Sequence, residues 1–135
     1  MKYMLDTNIC IFVIKKKPLQ VIKNILMQNA NELCISSITY GELMFGAEKS
    51  QRVEQNKLAI TLFLSAIQIL PFDSSAAEEY GKIRSSLEKA GTPIGSMDML
   101  IASHAKSEDL TLVTNNTREF LRVKNLKVED WTYAI

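Results

Sequence analysis

Short apolar segments recur along the chain: "KYMLD" (2–6), "LCIS" (33–36), "IQIL" (67–70), "LTLVT" (110–114) and, more weakly, "LKVED" near the C-terminus. Bounded by polar and turn-forming residues, runs of this length read as strands. Each of the first four is followed by a stretch with helical spacing. Leu58, Ala59, Leu62, Phe63 and Ala66 form one such stripe. Ala76, Tyr80, Ile83 and Leu87 form a second, and Met97, Leu100, Ile101, His104 and Ala105 a third. Positions three and four apart share one face of a helix, so each stripe predicts a face turned toward a core. Alternating strands and helices predict an α/β domain with a largely parallel sheet. "KAGTPIGS" (89–96) is the one clear Gly/Pro loop, and there is no repeat, linker or low-complexity tract.

Composition fits one domain over residues 1–135. The chain is 47% hydrophobic and 23% charged, enough to bury a real core at this length. No window approaches the roughly 18 to 20 uncharged apolar residues of a membrane span, and the N-terminus lacks a secretory pattern, so the expected location is the cytoplasm. Cys10 and Cys34 sit among Ile, Leu and Phe and read as small buried hydrophobes, without metal-ligand spacing. The net charge of +1 hides an asymmetry. The first thirty residues hold Lys2, Lys15, Lys16, Lys17 and Lys23 against Asp6 alone, so the remainder is net acidic. The chain is not a basic-tailed nucleic-acid binder, and the Lys15–Lys17 run before Pro18 reads as a helix end where cations meet the dipole.

The acids change the picture more. In an open parallel sheet the carboxyl ends of the strands share one edge, and ligands bind in the crevice there. Asp6 closes the first predicted strand; Glu42 follows the second in "SSITYGELMFGAEKS"; Asp98 opens the helix after the Gly/Pro loop; Asn116 and Glu119 follow the fourth strand in "LVTNNTREF". Each also reads as a capping residue: Asp6 as an N-cap, Glu42 boxed with Thr39, Asp98 in a first turn, Glu119 boxed with Asn116. Capping does not explain their company. Asp98 shares a face with Ile101, Ala102 and Ala105, and Glu42 flanks Ile38 and Phe45, so both border buried stripes. Gly41 and Gly46 each cost a helix about 1 kcal/mol relative to Ala, which suggests a close neighbour there.

Several carboxylates in one crevice repel one another and rise in pKa, unless a divalent cation reverses the sign of the problem. Oxygen donors without a His or Cys cluster suit Mg²⁺ or Mn²⁺ and argue against zinc. Such an ion activates water and stabilises charge on a leaving oxygen, which makes phosphodiester hydrolysis the natural chemistry.

Four blocks then carry a resemblance: "MLDTNICIF", "ISSITYGELMFGAEKS", "IRSSLEKAGTPIGSMDMLIASHA" and "LTLVTNNTREFLRVKNLKVEDW". In order and spacing they resemble the PIN-domain family, and within it the VapC toxins of bacterial toxin–antitoxin modules. The resemblance implies a three-layer α/β/α fold with a mostly parallel sheet of four or five strands. It implies a Mg²⁺- or Mn²⁺-dependent endoribonuclease acting on RNA, with tRNA, cut in the anticodon region and including initiator tRNA, as the expected substrate. The set of acids at the strand ends suggests in-line attack by a metal-activated water, leaving 5′-phosphate and 3′-hydroxyl ends. The resemblance also implies a homodimer, a cognate VapB antitoxin that inserts a basic side chain into the acidic pocket, a toxin–antitoxin hetero-octamer, and contact with DNA only through the antitoxin. Carried over by position, Asp6 and Asp98 become direct metal ligands, and Glu42 binds directly, binds through water, or orients the attacking water. Many relatives have Asp where this chain has Asn116; Glu119 supplies the missing charge or acts through water. Thr7, Asn8, Ser37 and Thr114 become donors that hold the carboxylates, or ordinary caps.

The remaining polar and aromatic residues read more plainly. His104 lies on an apolar stripe and reads as a packed histidine. Lys82, Arg84 and Lys89 flank the loop before Asp98, either as phosphate contacts or as solvated helix charges. Trp131 and Tyr133 read as a C-terminal segment docking on the core. A receiver-type phosphoacceptor would need an early acidic pair and a lysine ending a late strand, and "LTLVTNN" has none. A PIN-like module that binds RNA or protein without cutting is the other rival, and the three acids Asp6, Glu42 and Asp98 speak against it.

Overall fold

The computed structural model describes residues 1–133. Five strands form where the apolar segments predict them: β1 (Tyr3–Leu5), β2 (Leu33–Ser36), β3 (Gln68–Leu70), β4 (Thr111–Val113) and β5 (Val128–Glu129). They make one sheet in the order β3-β2-β1-β4-β5, and every neighbouring pair is parallel. Parallel neighbours need crossovers, and each of the first three holds two helices. These are α1 (Thr7–Lys15) with α2 (Leu19–Leu26), α3 (Ser37–Glu48) with α4 (Val53–Leu64), and α5 (Ser74–Ala90) with α6 (Ser96–Ser107). The short α7 (Thr117–Phe120) links β4 to β5.

Strand side chains alternate between two cores, as a pleat requires. Tyr3, Leu5, Leu33, Ile35 and Val113 face one layer with Ile9, Leu43 and Ile60. Met4, Cys34 and Leu112 face the other with Ile83, Leu87, Ile101 and Phe120. Both faces are therefore covered by helices, and the predicted α/β/α sandwich has the upper of the two expected strand counts. A fully buried Leu or Ile stabilises by about 2 kcal/mol, so the two cores supply most of the driving force.

The C-terminal segment docks as expected. Trp131 is buried edge-on to Tyr3, with ring centroids 4.9 Å apart. Its Nε1 donates to Glu129 Oε1 (2.9 Å), and its carbonyl accepts from the buried Asn24 Nδ2 (2.8 Å). Tyr133 is exposed. Lys15 ends α1, and Lys16 turns left-handed (φ 60°) with its N–H donating to the carbonyls of Phe12 and Val13, so the lysine run does close a helix. Cys10 and Cys34 are free and buried, and burial pushes the Cys34 thiol up to about 12.

The stripe read on α4 is rotated from its expected position. Leu58 and Leu62 are 59% and 65% exposed, while Ile60 is buried with Phe63 and Leu64 packed beside it; Ala66 lies past the helix end. The helix leans on both α1 and α3, and that two-sided seat selects the Ile60 face over the stripe with the better internal spacing. Among the described residues, no helix is long and apolar enough to cross a membrane.

Candidate active site at the carboxyl edge of the sheet

The strand order reverses at β1. From there the chain moves outward through β2 and β3, then returns to the other side of β1 for β4 and β5. Beyond the carboxyl ends of β1 and β4 lies the crevice in which open α/β sheets bind ligands.

Asp6 stands at that point. It is the N-cap of α1, its Oδ1 accepting the Ile9 N–H (2.9 Å), and its own N–H donates to the Val113 carbonyl across the junction (3.0 Å). The capping reading and the site reading are thus both true of this residue. It is 4% exposed. Burial pushes its carboxyl up to about 6, hydrogen bonds from Thr114 and Ile9 pull it down, and the charges of Asp98 and Glu42 push it up again.

Asp98 occupies the first turn of α6, whose N-cap Gly95 offers no side chain. Burial, the charge of Glu119, the charge of Glu42 and a hydrogen bond with Glu119 push it, too, up to about 6. Asp6, Glu42, Asp98 and Glu119 therefore share one electric field, although they come from four parts of the chain.

Glu42 does not close a capping box. The helix begins at Ser37 with Ser36 as N-cap, its Oγ accepting the Ile38 N–H (3.1 Å), so Thr39 and Glu42 are already inside it. Glu42 Oε1 instead accepts from Thr7 Oγ1, which also lies 3.3 Å from Thr39 Oγ1. Asn116 takes the N-cap position of α7 without a side-chain cap bond. Its Nδ2 donates to Glu119 Oε2 (2.9 Å), and its N–H donates to Thr114 Oγ1 (2.9 Å). Asn116 thus links Thr114 to Glu119, and these two residues bear on the carboxyls of Asp6 and Asp98 respectively.

Of the other expected donors, Thr7 and Thr114 hold carboxylates. Ser37 does not: its Oγ accepts the Phe72 N–H (3.0 Å) and fixes the segment after β3. Asn8 is exposed on the wall of a groove of about 760 Å³ that runs beside Glu42, with Ile11, Ile38, Phe45, Met97 and Leu100 as its apolar lining. Gly41 and Gly46 open onto this groove, and a Cβ built on either meets nothing within 4 Å. No part of the chain crowds these glycines; they keep the groove wide. His104 is buried and packed as expected, edge-on to Phe72, its Nδ1 2.7 Å from Ser36 Oγ. Burial lowers its pKa.

Among the described residues, no three His, Cys, Asp or Glu side chains close into a ready-made ligand cage. Thr7 and Asn116 hold Glu42 and Glu119 in hydrogen bonds of their own. The donor set still fits a small hard dication, because Mg²⁺ keeps several waters and takes one or two carboxylates. Asp6, buried, and Asp98, half-buried, are the two carboxyls that burial and neighbouring acids push up, and such an ion would relieve both.

Fold and site define an α/β protein whose polar chemistry is concentrated on four acids at the switch point of a parallel sheet. The chain belongs to the PIN-domain family, whose pattern matches residues 3–126. It is 51% identical over 132 residues to the tRNA(fMet)-specific endonuclease VapC of Shigella flexneri, covering 98% of this chain and 99% of that protein. Among solved structures, the DNA-bound VapBC of Salmonella typhimurium aligns with a TM-score of 0.92 at 46% identity, covering 97% of this chain and 98% of that one. VapBC2 of Rickettsia felis, bound to a fragment of its promoter, aligns at 0.91 and 44% identity over 97% and 99%.

Proposed function

We propose that this chain is the toxin of a type II toxin–antitoxin pair, a Mg²⁺- or Mn²⁺-dependent endoribonuclease that hydrolyses tRNA and so stops translation. The observation that carries the reading is the meeting of Asp6, Glu42, Asp98 and Glu119 in one field beside an open groove. The Shigella relative's name, with identity over nearly the whole of both chains, favours initiator tRNA as the substrate.

Asp6 and Asp98 would hold the metal, with Glu42 nearby. A dication held there would neutralise the carboxylates, lower the pKa of a water and polarise the phosphodiester. The protein's part is positioning. Ile9 and Thr114 fix Asp6 from two directions, and the rigid start of α6 fixes Asp98. Thr7 occupies Glu42 Oε1 and leaves Oε2 free to accept a proton from the attacking water. That water adds to phosphorus in line with the departing 3′ oxygen, so the ends are a 5′-phosphate and a 3′-hydroxyl. The groove with its apolar wall admits unpaired nucleotides. It is also where an antitoxin segment would seat, with a basic side chain among the acids. The antitoxin would join toxin dimers into a hetero-octamer and make the contacts to DNA.

The test is cleavage of unfractionated tRNA by antitoxin-free protein with Mg²⁺, with and without chelator, followed by sequencing of the ends. Cuts in the anticodon region that vanish with chelator support the reading. Cleavage that survives chelation would remove the metal from it, and intact tRNA under every condition would remove the nuclease.

A further inference from the structure

The structure separates the three cations that flank the loop before Asp98. Arg84 donates to Glu88 Oε1 (3.0 Å) and to the Tyr80 hydroxyl (2.9 Å), so its charge is answered within α5. Lys82 and Lys89 border a recess instead. Two adjoining cavities of about 240 and 620 Å³ meet where Lys82, Ser86 and Lys124 line both. Lys106 of α6 and Arg122, just past α7, complete a ring of five cations, and among the described residues no carboxylate lines either cavity. The nearest acid paired with the ring, Glu79, reaches Lys82 and Lys106 only at 3.8 Å.

The fold builds this ring from three elements. Val123 is buried with Ile83 and Leu87, which pins the turn after α7 and leaves its neighbours Arg122 and Lys124 in solvent. Arg122 Nη1 donates to the Pro93 carbonyl (2.8 Å), which ties the recess to the loop entering α6. Lys82 and Lys89 are two turns apart on α5, about 10 Å along the axis. Asp98 and Lys106 are separated by about 12 Å on α6, a span of a few nucleotides. One compact anion would need converging donors; cations strung out on flexible stems suit a polyanion.

We infer that this recess is a second RNA-binding surface, which takes backbone phosphates of the substrate a few nucleotides from the scissile bond. The inference rests on the ribonuclease reading and extends it from the cut site to the body of the tRNA. It contacts phosphates without regard to base identity, so it adds affinity and register and leaves the choice of bond to the groove.

The test uses the full chain in an Asp6→Asn background, binding unfractionated tRNA over a salt series. Lys82→Gln with Lys124→Gln is expected to lower affinity about tenfold at moderate salt. It should also reduce the slope of log affinity against log salt by about 1.4 to 1.8, two phosphate contacts. Arg84→Gln, one cation from the same helix, should change neither. Unaltered affinity and slope in the double variant, beside an Asp6→Asn parent that binds tRNA and an unsubstituted chain that cleaves it, would overturn the recess and leave the nuclease standing. A double variant that loses antitoxin but not tRNA would overturn it in favour of a protein partner. A parent with no affinity for tRNA would remove both readings.

Discussion

The acidic edge and the basic recess hold comparable numbers of charges, yet the chain builds them in opposite ways. At the edge, Asp6 is buried at a strand end, capped by one backbone N–H and held by a hydroxyl, and its neighbours are charges of the same sign. In the recess, Lys82, Lys89, Arg122 and Lys124 are exposed, on long stems at the surface. The first arrangement fixes atoms and stores repulsion; the second fixes little and stores almost none. Chemistry at a phosphorus atom needs the former, because a small misplacement of a reacting group is expensive. Affinity for a polyanion needs only the number of cations within reach.

The sharpest way to break the contrast is to remove one fixed charge without its shape. Asp6→Asn keeps an oxygen to accept the Ile9 N–H, so α1 stays capped. Cleavage should fall by more than the roughly 10- to 100-fold typical of residues behind the metal ligands, and Asp98→Asn should match it. Single-turnover assays on tRNA measure this. A loss of only a few-fold in both variants would mean that the acids are structural.

The same substitution should raise stability. A carboxyl held up to about 6 in the fold against an ordinary value of 3.8 keeps its proton better folded than unfolded. Its contribution is fully present below about pH 4 and is lost as pH rises through about 6. With chelator at pH 7.5, Asp6→Asn should therefore unfold at higher denaturant than the parent, by up to about 3 kcal/mol. The gap should close toward pH 4, and millimolar Mg²⁺ should narrow it by stabilising the parent alone. A parent more stable than the variant at pH 7.5 in chelator would contradict a tense acidic edge.

How far the sequence revealed each region follows from the same physics. Strand positions were readable because short apolar runs are local signals, and the acids could be placed relative to the strand ends for the same reason; the three-layer arrangement came from the family resemblance. The face of α4 was not readable, since Leu58 and Leu62 have good internal spacing and only the seat on α1 and α3 selects Ile60. The Thr39–Glu42 box failed for a similar reason: Ser36 caps the helix earlier, and Glu42 finds Thr7, 35 residues away in sequence. The recess was the least visible, because Lys106 joins Lys82 through the packing of α6 on α5, and Arg122 and Lys124 join it through the burial of Val123. Nothing local in the chain announces that these three parts meet.

Smaller effects should come from residues that hold the acids. Thr7→Val keeps the shape of the side chain and removes the hydroxyl that donates to Glu42. Cleavage should drop by about 10- to 100-fold, with little change in tRNA affinity, because an aligning bond is lost and no phosphate contact is. Equal losses in binding and cleavage would instead place Thr7 on the RNA.

The smallest effect concerns the fourth acid, where this chain has the Asn116–Glu119 pair. Asn116 donates to Glu119, whose charge helps push the Asp98 carboxyl up, so the negative charge at this corner sits one helical turn beyond Asn116. Glu119→Gln should raise the Mg²⁺ concentration needed for half-maximal cleavage by about three- to tenfold, the low end of what outer residues contribute, with a smaller loss at saturating Mg²⁺. Because the charge should matter more than its address, adding Asn116→Asp to Glu119→Gln should restore much of the Mg²⁺ response. The neutral Gln can still accept or donate at the corner, and the new carboxylate brings back the fourth charge without a like-charged neighbour at 119. A Mg²⁺ titration of the parent and both variants separates the cases: no shift in Glu119→Gln would make Glu119 an ordinary helix-start acid, and a shift that Asn116→Asp cannot reverse would tie the effect to the position of Glu119 against Asp98.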